Sequence, residues 1–143
     1  MNNPTLAHKE VIGTRGSSSE ALTNHLAFTY YAPKNLLALP MTICEGGSST
    51  DGQFADKMTF SGLLVYTTTA ASGFSLKGRV EHPQTSTGGY YDNACSNWWT
   101  NASSEVKRSV IMDDFVYSIS EKRLKVSSLA NLSTDLAVVA LDN

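Results

Sequence analysis

Long apolar runs are the first thing this sequence lacks. No uninterrupted stretch reaches the ~18 residues that a membrane-crossing helix requires, and the opening MNNPTLAHKEVIG has no apolar segment of the kind a signal peptide carries. Neither a membrane span nor an export leader is therefore expected within the chain. Charge of one sign is scarce too, since 11 Lys and Arg against 13 Asp and Glu leave a formal net charge of −2. The basic residues are scattered apart from the short clusters VKR and EKR. With no basic stripe to meet a phosphate backbone, a nucleic-acid partner is not expected. Cysteine is limited to Cys44 and Cys95, without the Cys-x-x-Cys spacing of redox catalysis. The Gly-x-Ser-x-Gly pattern of a nucleophile elbow is missing. His8, His25 and His82 stand at no metal-ligand spacing. No catalytic residue, metal or cofactor is expected on these grounds. A Ser–His–Asp triad gathered from distant positions is the enzymatic arrangement such absences leave open.

No segment sustains a helical period, and what remains reads as strands. TLAHKEVIG is a candidate strand, followed by the irregular TRGSSSEALTN with its glycines and three serines in a row. Within that region SSEALTNHLAF has an alternative reading as a short helix capped by Ser17 or Ser18. HLAFTYYA and NLLALPMTI then flank a turn at Pro33-Lys34-Asn35. The second of them is apolar at nearly every position, as in a strand covered on both faces. Pro40 should force a bulge or a strand end there, because proline cannot donate to a ladder. FSGLLVYTTT is again apolar on both faces. In FSLKGRVEH, Phe74, Leu76 and Val80 alternate with Ser75, Lys77, Arg79 and Glu81, the pattern of an edge strand with one wet face. VKRSVIM, FVYSIS, RLKVSS and DLAVVAL close the chain, joined at Asp113-Asp114, Glu121-Lys122 and LANLSTD.

These strands group four plus four, which is the internal period of a β-propeller. The expected class is all-β: antiparallel four-stranded meanders forming two blades, at residues 25–82 and 106–143, joined by a loop at 83–105. Residues 1–24 form an N-terminal strand and loop, assigned to the end of a preceding blade.

The blocks EVIGTRGSSSEALTNHLAFTYYAPKNLLALPM, FSGLLVYTTTAASGFSLKGRVEH and VKRSVIMDDFVYSISEKRLKVSSLANL resemble the C-terminal β-propeller domain of secreted prokaryotic proteins distantly related to WD40 repeats. The corresponding positions are residues 25–28, 36–41, 62–82 and 108–120. Asp113-Asp114 departs from the family's more usual Gly-Asp. The resemblance implies an extracellular or cell-envelope address and supplies no catalytic residues. Because a closed propeller has typically 4–8 blades, the chain is expected to be the C-terminal part of a longer protein. Its partners would be the remaining blades, a second copy of itself, or another protein.

Two blades alone should leave apolar sheet faces bare on both sides, unless the N-terminal segment folds over one of them. Strand direction sends the two longest loops out at the same end of the first blade, one with Cys44 and the other with Cys95. If the chain is exported, a disulfide between them is expected, stabilising by about 4 kcal/mol on the chain-entropy argument. The second loop also holds Tyr90, Tyr91, Trp98 and Trp99, with Asp51, Asp56 and Asp92 near in sequence. Aromatics in a polar loop can form a platform for a glycan or a peptide. They can also simply cap blade ends, and that plainer role is preferred here. SSTDGQFAD has aspartates suited to calcium but not the spacing of a calcium loop. His25 and His82 are expected to hydrogen-bond backbone at strand ends. The leading function is a non-catalytic scaffold or interaction module. A glycan- or peptide-binding module is second, and a hydrolase with its site in absent blades is third.

Overall fold

The computed structural model describes residues 5–46, 55, 57–83, 95 and 104–141. Two four-stranded antiparallel sheets carry the fold, each a simple meander. Sheet 1 is formed by β1 (Thr29–Tyr31), β2 (Leu36–Glu45), β3 (Lys57–Thr69) and β4 (Gly73–Glu81). Sheet 2 is formed by β5 (Val106–Met112), β6 (Phe115–Ser120), β7 (Arg123–Ser128) and β8 (Asn131–Ala140). The all-β class and the four-plus-four grouping agree with the sequence reading.

The sheets stack face to face. Leu36, Ala38, Leu63, Val65 and Val80 of sheet 1 meet Val106, Ile111, Val116, Leu129 and Leu132 of the second unit in one buried cluster. Alternation dictates this: even-numbered residues of β2 and odd-numbered residues of β3 point to the same side. The remaining residues, Leu37, Met41, Phe60, Leu64 and Tyr66, form a second buried cluster on the outer side of sheet 1.

That outer cluster is covered by the N-terminal residues, which correct the sequence reading. TLAHKEVIG forms no strand. Residues 5–19 run instead as an irregular strap, with Ile12 packed against the outer cluster. His8 Nε2 lies 2.8 Å from the Ala70 carbonyl oxygen at one end. At the other end the Thr14 N–H donates to the Cys44 carbonyl at 2.9 Å. Ser18 and Thr42 exchange both backbone hydrogen bonds, at 2.8 and 2.9 Å. Among the described residues only the outer face of sheet 2 is therefore bare, the outcome expected if the N-terminal segment folds over one side.

Three further details differ from expectation. HLAFTYYA contributes only Thr29–Tyr31 to the sheet. The residues before it make two single 3-10 turns, Glu20–Leu22 capped by Ser19 and His25–Ala27 capped by Asn24. Each cap accepts a backbone N–H two residues on, which satisfies a turn but starts no longer helix. Pro40 does not interrupt β2, since it pairs with Leu63, and the register shift falls between Ile43 and Cys44. The backbone of residue 40 faces the edge of β2 beyond the end of β1, where the Ser19 hydroxyl donates to its carbonyl at 2.5 Å. Its missing N–H thus costs no ladder bond. Finally, β4 does not keep one alternation. A register shift lets Val65 face Gly78 while Tyr66 faces Leu76, so Lys77 is the extra residue of a bulge. Phe74 and Leu76 consequently lie on the outer side of sheet 1, and only Val80 reaches the inner core.

Candidate functional site

The outer face of sheet 2 is built by register. Val110 of β5 lies opposite Tyr117 of β6, which lies opposite Val126 of β7, which lies opposite Ala137 of β8. On one side of this row Met112 faces Phe115, and on the other Ile119, Leu124 and Val139 are aligned. One apolar row thus crosses all four strands, flanked by two shorter ones that end at Arg108 on β5 and at Ser128 on β7. Val110, Met112 and Val139 are about half exposed, at 48%, 53% and 52%. Strands ~4.8 Å apart and same-face residues ~6.8 Å apart give this face a footprint of roughly 400 Å². Soluble monomers seldom leave a larger contiguous patch bare, and patches of this size are often functional.

The opposite face of sheet 2 sets the buried serines Ser109, Ser118, Ser120 and Ser127 among its apolar core residues. In β6, Val116, Ser118 and Ser120 are buried while Phe115 is exposed and Tyr117 and Ile119 only partly covered. This inverts the usual preference for apolar residues inside. The inversion follows from the seam between the sheets, where side chains have little room. A Cβ on Gly78 of β4 would lie 2.9 Å from Leu132 Cδ1. Serine fits such a space and can use its hydroxyl across the seam. Ser109 donates to the Thr29 hydroxyl at 3.1 Å, and Thr29 donates to the Ser109 carbonyl at 3.0 Å.

His82 ends sheet 1 inside this seam and is fully buried. Its Nε2 is 2.7 Å from the Ser118 hydroxyl of sheet 2, not bonded to backbone as expected from sequence. Nδ1 has no hydrogen-bond partner among the described residues. Burial pushes the imidazole pKa down to about 4, helped by the cations Lys125 and Arg123 and partly opposed by Asp135. A Ser–His pair at this distance has the spacing of a nucleophile and its base. Ser118 is only 1% exposed, however, so no substrate reaches it in this conformation. The pair is a neutral hydrogen bond joining two sheets.

Cys44 and Cys95 form a disulfide with a Cα–Cα distance of 5.7 Å. Both are buried, in a small cluster with Ala55. The strap turns directly on it: a Cβ on Gly16 would sit 2.0 Å from the Cys95 carbonyl oxygen, and Gly16 has φ of 104°. The Ala55 N–H donates to the Arg15 carbonyl at 2.9 Å. Tyr90, Tyr91, Trp98, Trp99, Asp51, Asp56 and Asp92 lie outside the described residues, and with them the loop platform and the calcium reading. Among the described residues no three His, Cys, Asp or Glu side chains gather to hold a metal. Nor is any described helix long and apolar enough to cross a membrane.

The sequence reading placed the bare apolar surface by analogy but not its residues. The signal was FVYSIS, in which the large residues occupy one face and the small ones the other. A family model described as a beta propeller domain matches residues 1–132. No curated protein and no solved structure matches the chain.

Proposed function

The chain belongs to the β-propeller domain family, and we propose that it acts as a non-catalytic interaction module whose sheet 2 docks a further propeller-type sheet. The apolar row across the outer face of sheet 2, with the shorter rows on either side of it, carries this reading. Their strands present alternating large side chains in straight cross-strand files, a relief that matches the pleat of another sheet packed ~10 Å away. The footprint of roughly 400 Å² is about half of the ~800 Å² per partner in a stable interface between independent proteins. A blade joined covalently to its neighbour does not need that area, because linkage supplies a high effective concentration. The favoured occupant is thus a tethered sheet, with self-association a weaker substitute. The buried Cys44–Cys95 bridge supports placing the module outside the reducing cytoplasm.

Light scattering on size-fractionated protein across a concentration series tests this. The isolated chain should associate weakly through the bare face. Val110→Asp with Tyr117→Asp should abolish that association and leave the unfolding temperature nearly unchanged. Association that persists in the double variant would refute the docking role.

A further inference from the structure

A cavity of about 400 Å³ opens at the end of sheet 1 remote from the disulfide. It lies between the β1–β2 turn, the β3–β4 turn and the start of the strap. Its size falls at the lower end of small-molecule sites, which span ~300–1,000 Å³. The walls are two aromatic rings, Tyr30 and Phe74, exposed by 51% and 41%.

Each wall is braced from behind. Phe74 stands edge-on to Tyr66, with ring centroids 6.4 Å apart and planes at 84°. The Tyr30 hydroxyl donates to Asn35 Oδ1 at 3.2 Å. Asn35 is itself fixed in the left-handed region at φ 51°, with its carbonyl accepting the Thr68 N–H at 2.8 Å. His8 is held by Ala70 and lies over Gly73, where a Cβ would come within 2.8 Å of the imidazole. Gly73, at φ 71°, therefore makes the floor that lets the strap close one side. Such bracing means little is lost in ordering the site when a ligand arrives.

The lining chemistry selects the ligand. Among the described residues no Asp, Glu, Lys or Arg side chain borders the cavity, so no fixed charge there balances a charged ligand. The rings offer flat apolar faces, while the Asn35 amide N–H₂ and the Thr69 hydroxyl offer hydrogen bonds at their edges. Thr69 is already bonded to Ser72, but a purely apolar group would strip water from the Asn35 N–H₂ without replacing it, at a cost in affinity. We propose that this cavity binds a neutral hexose unit of a glycan, its C–H face against Phe74 or Tyr30 and its hydroxyls toward Asn35 and Thr69. The site is separate from the bare face of sheet 2 and does not depend on what docks there.

Calorimetric titration of the purified chain with cellotetraose, chitotetraose and maltotetraose provides the test, with decaproline as the apolar-peptide comparison and a heparin tetrasaccharide as the charged one. At least one neutral tetrasaccharide should bind, and Phe74→Ala or Tyr30→Ala should weaken it by about tenfold. Asn35→Gly keeps the left-handed turn and should weaken binding as well. Amide shifts in a ¹H–¹⁵N titration of the unaltered chain should centre on Tyr30, Asn35, Gly73 and Phe74, which guards against variants that fold poorly. The proposal is overturned if none of the three sugars binds with Kd below ~10 mM, if the shifts centre elsewhere, or if decaproline or heparin binds more tightly.

Discussion

The outer faces of the two sheets are furnished alike and finished differently. Sheet 1 turns Leu37, Met41, Phe60, Leu64 and Tyr66 outward, and all five are buried. The strap lies over them, and the Arg79 guanidinium rests 5.7 Å from the Phe60 ring centre. Sheet 2 turns Val110, Met112, Phe115, Leu124 and Val139 outward, and no described segment lies over them as the strap does over sheet 1. An identical pattern of alternation thus yields a core in one case and a docking surface in the other. What decides is whether the chain has a spare segment long enough to cross the sheet and a place to fasten it.

The largest way to break this contrast is to unfasten the strap. Replacing both Cys44 and Cys95 by Ala should cost about 4 kcal/mol by the chain-entropy argument, read as a lowered midpoint in urea. A midpoint shifted no more than by reshaping a surface loop would show that the bridge is incidental. Acid should loosen the seam next. The His82 pKa is depressed from 6.5 to about 4, so the unfolded chain takes up a proton that the folded seam refuses. Its contribution is complete above pH 6.5 and is lost as pH falls toward 4, about 3 kcal/mol in all. His82→Gln should flatten that part of the pH–stability curve; an unchanged curve would place the titration elsewhere.

The contrast itself is read by paired truncations. Leu64→Ala under the strap should cost about 3 kcal/mol, whereas Val110→Ala on the bare face should stay within about 0.5 kcal/mol. Equal losses would mean that the two faces are equally covered. The smallest effect concerns the turn leading into that bare face. Asp113 sits at φ 52°, so Asp113→Gly should raise stability by about 0.5 kcal/mol, measurable as a small rise in Tm.

Much of the fold was legible because alternation is a local signal. β2 and β3 read as strands covered on both sides, and so they are. Counting strand directions made a Cys44–Cys95 bridge plausible for an exported chain, and the bridge is formed. The strap was legible only as one option for the N-terminal segment, since a stretch held by scattered backbone bonds and one apolar residue, Ile12, carries no period. The outer placement of Phe74 and Leu76 was hidden by a one-residue bulge at Lys77, although Gly78 marked the spot. His82 and Ser118 are 36 residues apart and meet only because two sheets stack. The cavity beside Tyr30 and Phe74 was missed for a related reason, as its walls come from two turns and a strap that the sequence does not connect.

Gly16 ties the strap to the redox state of the molecule. The strap bends where it does only because a residue without a side chain can lie against the Cys95 carbonyl, and that carbonyl is held in place by the bond to Cys44. Oxidation and seating of the strap therefore favour one another. A chain kept reduced would present two sticky faces instead of one and should clump on dynamic light scattering, while the oxidised chain stays dispersed at the same dilution.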